Sequence, residues 1–72
     1  MRHTGVIGMA VMGKNLALNI AEHGYPVSVY NRTYEKARQA ADEAGGLPVE
    51  AFETLESLVR SLTPPRVVIM MV

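Results

Sequence analysis

Two glycines five residues apart constrain this chain more than any other feature. They bracket the segment Gly8-Met9-Ala10-Val11-Met12-Gly13. An apolar run, Gly5-Val6-Ile7, precedes it, and a stretch of helical periodicity follows. A buried strand that meets a tight glycine turn and then a helix is the context in which the pattern G-x-G-x-x-G carries meaning, here with alanine at its second glycine. Each position has a physical task. Gly8 allows a sharp exit from the strand. Position 10 must be small, so that backbone can approach a pyrophosphate. Gly13, in the first helical turn, lets the helix lie close to the strand. Phosphates then meet free backbone N–H groups and the positive end of the helix dipole. A glycine-bearing turn with no ligand is the plain alternative.

The rest of the chain supplies that context. From Val11 to Glu22 the pattern is helical: Met12, Leu16 and Ile20 recur every four residues, with Ala17 and Ala21 beside them. This spacing suits core filling by Met12, and contact with the adenine or nicotinamide side of a cofactor is the alternative for Met9 and Met12. Gly24 is a natural C-cap, and Pro26 prevents the helix from resuming. Val27-Ser28-Val29-Tyr30 reads as a second strand. Thr33 is positioned to cap the next helix, whose stripe Ala37, Ala40, Ala41 and Ala44 is narrow enough for close packing on a sheet. Gly45-Gly46 ends it. A weak strand signal follows at Val49 to Phe52. Thr54 caps a third helix with the stripe Leu55, Leu58, Val59 and Leu62, which Thr63-Pro64-Pro65 stops. The last run, Val67 to Val72, is wholly apolar and reads as a strand covered on both faces. The order β-α-β-α-(β)-α-β implies an α/β class: a Rossmann-like, doubly wound parallel sheet in partial form. The chain stops at or just past a central strand, leaving an apolar edge with nothing to pair it.

The second strand ends in Asn31-Arg32-Thr33, and Asn31 lies 23 residues after Gly8. Domains that bind NAD place an acid near this point to hold the ribose 2′-hydroxyl, and that acid repels a 2′-phosphate. Here a neutral amide stands instead, followed by an arginine. A guanidinium pairs with phosphate through two parallel hydrogen bonds and can stack on adenine. Thr33 can add a hydroxyl donor, and Lys36 adds positive charge. These residues point to NADP; an ordinary solvated arginine at a helix start is the alternative. Methyltransferases and flavoproteins also commonly use an acid here, and Asn31-Arg32 does not serve them.

Composition closes off other classes. Seven basic and seven acidic residues leave zero net charge, which argues against a nucleic-acid clamp or a polybasic membrane anchor. The halves differ: residues 1–36 carry +2 and residues 37–72 carry −2, so the basic half suits a locally bound anion. Zero cysteines exclude a disulfide, a thiol nucleophile and a cysteine-ligated metal. His3 and His23 lack ligand spacing and read as surface residues, and Glu50, Glu53 and Glu56 read as a solvated face. Asn15 and Asn19 share one face of the first helix. Lys14 shows no sign of the burial that a catalytic base would need. No apolar run reaches the roughly 18–20 residues of a membrane span, and no signal peptide is evident. A reduced cytoplasmic setting is expected, with a small-molecule dinucleotide as partner and neither nucleic acid nor membrane.

One resemblance adds to this reading. The stretch from Gly8 to Ile20, then Gly24-Tyr25 and Tyr30-Asn31-Arg32-Thr33, resembles the start of the decarboxylating 6-phosphogluconate dehydrogenases of the 3-hydroxyacid dehydrogenase superfamily. Ala10-Val11-Met12-Gly13, Asn15-Leu16-Ala17-Leu18-Asn19 and the terminal Asn-Arg-Thr carry it. Pro65-Arg66 before an apolar strand also fits. The related 3-hydroxyisobutyrate dehydrogenases share the plan but usually have glycine at position 10 and a different helix. The resemblance spans nearly the whole chain and is weaker from Gly45 to Thr63.

It implies oxidative decarboxylation of 6-phosphogluconate in the pentose phosphate pathway. Hydride passes from C3 to NADP, the 3-keto acid loses carbon dioxide, the product is ribulose 5-phosphate, and no metal takes part. It also implies that Gly8, Met9, Ala10, Val11, Met12 and Gly13 hold the pyrophosphate and that Asn31, Arg32 and Thr33 face the 2′-phosphate. Val72 begins the next cofactor-contacting loop. Residues 1–72 are then the N-terminal part of an NADP-binding domain. The family's catalytic residues, its contacts to 6-phosphogluconate and its helical dimerisation domain lie beyond residue 72, so no catalytic residue is assigned, the chain alone is expected to be inactive, and a homodimer is implied for the full-length protein only. A non-catalytic nucleotide-binding or interaction module is the competing reading.

Overall fold

The computed structural model describes residues 2–8 and 11–71. Four strands and three helices alternate: β1 (Arg2–Ile7), α1 (Val11–Glu22), β2 (Val27–Tyr30), α2 (Tyr34–Glu43), β3 (Val49–Phe52), α3 (Leu55–Ser61) and β4 (Leu62–Met70). The strands form one parallel sheet in the order β3-β2-β1-β4. The sheet grows outward from β1 through β2 to β3. The chain then crosses back to place β4 on the other side of β1. The weak signal at Val49 to Phe52 is a full strand, in register with β2 from Val27↔Val49 to Tyr30↔Phe52.

Alternation along β1 divides the core between the two faces. Val6 packs with Val27 and Val29 against Ala17 and Ala21 of α1 and Ala37 and Ala40 of α2. Its neighbour Gly5 faces the other way. A Cβ there would lie 2.7 Å from Leu58 Cδ2, so α3 rests directly on the strand backbone. On the same face Ser28 is fully buried, and its hydroxyl shares a 2.7 Å hydrogen bond with that of Ser61. Ser61 in turn donates to the Leu58 carbonyl at 2.5 Å, so the buried polar pair is satisfied. A capping box starts α3: Thr54 Oγ1 accepts from Ser57 N at 3.0 Å, and the Ser57 side chain accepts from the Thr54 backbone.

Several expectations require correction. The buried stripe of α1 is Gly13, Ala17 and Ala21, not the line through Met12, whose side chain is 73% exposed. Leu16 and Ile20 are half-buried flanks. The helix docks through its smallest residues because its first turn touches backbone, and a methionine has no room there. In α3 only Leu58 is buried, while Leu55 and Val59 face solvent and Leu62 begins β4. The strand β4 is not covered on both faces: Val67, Val68 and Met70 are exposed. It is an edge strand of the described sheet, paired only with β1, in line with the expected unpaired edge. The prolines fall inside β4, where the register shifts between Arg2↔Leu62 and Thr4↔Val67. Such an irregularity at an edge tolerates residues without a donor. His3 is half-buried, and its Nδ1–H donates to the Thr63 carbonyl at 2.6 Å, tying β1 to this corner.

Leu58 should therefore carry α3. Leu58→Ala should cost about 2–5 kcal/mol, and Val59→Ala, on the exposed side, should change stability by about 0.5 kcal/mol or less. Urea denaturation of both variants checks this. Equal losses would mean that α3 docks through a different face.

Candidate dinucleotide-binding site

The direction of the sheet's growth reverses between β1 and β4, and ligands of open α/β sheets bind outside the carboxyl ends of the strands at such a point. Backbone hydrogen bonds draw three strand ends together there. Gly8 N–H donates to the Tyr30 carbonyl at 2.8 Å, and Met71 N–H donates to the Ile7 carbonyl at 2.8 Å. The turn after β1 is thereby flanked by the end of β2 and the end of β4. The two halves of the expected site, the glycine turn and Asn31-Arg32-Thr33, come to one edge of the sheet.

Two close approaches fix the turn. Gly8 has φ +96°, a region L side chains rarely adopt, and a Cβ on it would lie 2.1 Å from the Met71 carbonyl oxygen. A Cβ on Gly13 would lie 1.8 Å from the Gly8 carbonyl oxygen. Neither distance is physically possible, so any larger residue forces α1 or β4 away. The close seating puts the N-terminus of α1 at the crevice. The first turn of α1 carries no acidic residue to compete for its N–H groups. The side chains of Val11 and Met12 are exposed beside it. Met9, Ala10 and Val72 lie outside the described residues.

At the end of β2, Asn31 is half-buried, and its side-chain amide donates to the Thr33 carbonyl at 3.0 Å, which shapes the turn into α2. Thr33 occupies the N-cap position with extended backbone, but its side chain makes no capping bond, contrary to expectation. Its hydroxyl remains exposed at the helix start. Arg32 and Lys36 are exposed too. Among the described residues the other lysines and arginines are engaged. Arg2 pairs with Glu50, Lys14 with Glu43, Arg38 with Asp42 and Arg60 with Glu56, and Arg66 Nε donates to the Leu62 carbonyl. Arg32 and Lys36 make no such contact, and both stand at the start of α2. Two positive centres thus converge on one sheet edge: the N-terminus of α1, built from backbone, and the start of α2, built from side chains. The pair suits a ligand with two separated anionic groups.

Among the described residues no group of three or more histidine, cysteine or acidic side chains could hold a metal ion. No helix is long and apolar enough to cross a membrane. The sequence pattern did not mark Met71 as part of the site, since its contribution is a backbone carbonyl over Gly8, which no side-chain pattern records.

The family described as the NAD binding domain of 6-phosphogluconate dehydrogenase matches residues 3–72. A decarboxylating 6-phosphogluconate dehydrogenase of Arabidopsis thaliana is 54% identical over 71 residues, covering 94% of this chain and 15% of the relative. The NADP(+)-dependent, decarboxylating 6-phosphogluconate dehydrogenase of Bacillus subtilis is 52% identical over 68 residues, covering 94% of this chain and 14% of the relative. Among solved structures, Plasmodium falciparum 6-phosphogluconate dehydrogenase superposes with a TM-score of 0.87 at 44% identity, over 96% of this chain and 15% of that one. That enzyme was determined in its apo form, with its cofactor NADP+ and with its substrate 6-phosphogluconate. The chain therefore spans about one-seventh of the length of the relatives it matches. With the family match running over nearly its whole length, this chain belongs to the family of the NAD-binding domain of 6-phosphogluconate dehydrogenase.

Proposed function

We propose that residues 1–72 form the N-terminal part of the NADP-binding domain of a decarboxylating 6-phosphogluconate dehydrogenase. The observation that carries this reading is an arginine with no ion-pair partner among the described residues at the end of β2, where an NAD domain keeps an acid, beside a turn whose Gly8 and Gly13 leave no room for a Cβ. The NADP+ cofactor of the Plasmodium falciparum enzyme and the NADP(+) dependence of the Bacillus subtilis enzyme support it.

In this reading the turn from Gly8 to Gly13, including Met9, Ala10, Val11 and Met12, receives the pyrophosphate on backbone N–H groups at the positive end of α1. The Arg32 guanidinium and the Thr33 hydroxyl receive the 2′-phosphate. Asn31 holds the turn that presents them, and Lys36 adds charge. Val72 is assigned by the family resemblance to the start of the next cofactor-contacting loop. When bound, NADP+ supplies a hydride acceptor. The chain's own residues bind and orient it, and none of them is assigned a chemical step. The whole enzyme would convert 6-phosphogluconate to ribulose 5-phosphate with loss of carbon dioxide, as a homodimer in the cytoplasm, with its catalytic groups outside these 72 residues.

Arg32→Asp removes a charge-assisted pair and places an acid where NAD enzymes have one. NADP+ affinity should fall at least about tenfold, because hydrogen bonds to charged groups contribute about 1.5–3 kcal/mol, while NAD+ affinity should hold or rise. Fluorescence titration with both nucleotides measures the ratio, and an unchanged ratio would remove Arg32 from the site. Gly13→Ala should abolish binding of both nucleotides and lower the melting temperature. Gly46→Ala, where a Cβ meets nothing within 4 Å, should alter neither. Nucleotide binding that survives Gly13→Ala would separate the glycine turn from the ligand.

A further inference from the structure

Lys14 and Glu43 each stand against the dipole of their own helix. Lys14 lies in the first turn of α1, where a cation is disfavoured, and Glu43 is the last residue of α2, where an anion is disfavoured. Neither residue type is there to favour its helix end. Their charges meet instead: the Lys14 ammonium donates to both Glu43 carboxylate oxygens, at 3.1 Å each. Among the ion pairs of the described residues, this one alone joins two helices. Arg38–Asp42 and Arg60–Glu56 lie within single helices at i,i+4, and Arg2–Glu50 joins two strands. It is also better shielded than the pairs within helices: the Lys14 side chain is 28% exposed, against 69% for Arg38 and 78% for Arg60.

Lys14 directly follows Gly13, whose backbone sits against the Gly8 carbonyl. Helical side chains lean toward the N-terminus of their own helix. A Lys14 ammonium released from Glu43 therefore falls over the turn that receives phosphate. We infer that Lys14 is a further binding residue for the dinucleotide pyrophosphate and that Glu43 restrains it, so that the bridge between α1 and α2 sets the affinity of the site. This rests on the dinucleotide reading given above. The pyrophosphate is common to both nucleotides, so the bridge acts on NADP+ and NAD+ alike, and Arg32 selects between them.

The test is a titration of NADP+ and NAD+ against the unsubstituted chain, Lys14→Met, Glu43→Gln and the double variant, at low and high salt. One charge near a helix end is worth about a two- to fivefold change in affinity. Glu43→Gln should tighten both nucleotides by about that factor, and Lys14→Met should weaken both by a similar factor. The double variant should match Lys14→Met, because Glu43 acts through Lys14. All these differences should shrink as salt rises. Circular dichroism melting shows which variants are folded. If Lys14→Met is not, Glu43→Gln, which keeps the shape of the side chain, decides alone. Weakened binding in Glu43→Gln would overturn the inference and make the bridge a strut between helices, and unchanged affinity would overturn it as well. If the unsubstituted folded chain binds neither nucleotide, the dinucleotide reading falls first and takes the inference with it.

Discussion

The contact between Gly13 and the carbonyl of Gly8 governs the rest of the structure. At that point a helix touches the backbone of the turn leading into it, with no room for a methyl group. Such close seating selects the small residues that follow on the same face of α1, Ala17 and Ala21. They let the helix settle on Val6 and Val29. The same contact aims the N-terminus of α1 at the crevice where the sheet reverses. Packing and the proposed anion site thus share one cause. A larger residue at position 13 would lift the helix, loosen the core beneath it and turn the N–H groups away together.

The end of β2 is built on a different principle. There the positive charge belongs to side chains that make no ion pair among the described residues, while the other lysines and arginines are paired or bonded to a carbonyl. Asn31 spends its amide on the backbone of the turn, and Thr33 sits at a cap position without capping. The first ties the turn, and the second leaves the Thr33 hydroxyl exposed beside the exposed Arg32. Rigid backbone at one end of the crevice and free side chains at the other suit a ligand whose common part is recognised by shape and whose distinguishing phosphate is recognised by charge.

Much of this was legible because spacing records backbone constraints well. The close approach of Gly8 and Gly13, the capped start of α3 and the alternation of strands and helices all reappear in the structure; the side-chain cap expected of Thr33 at α2 does not. The failures share one physical origin. Apolar periodicity ranks residues by bulk, so Met12 outweighed Gly13 in locating the buried face of α1, although close docking needs the smaller residue. The same weighting assigned Leu55 and Val59 to a core in which only Leu58 of α3 takes part. The run from Val67 onward reads as buried strand because its composition suits burial on both faces, and a pattern of residues does not say what covers it. The Met71 carbonyl over Gly8 and the Lys14–Glu43 bridge are contacts between distant segments, and no local motif encodes them.

The most direct measurement is an amide-resolved NMR titration of the 72-residue chain with NADP+, with NAD+ in parallel. A dispersed spectrum with shifts at Gly8 and Gly13 for both nucleotides, and at Arg32 for NADP+ only, is the predicted result. A dispersed spectrum that responds to neither nucleotide would contradict the assignment of the glycine turn and the end of β2 to one dinucleotide site.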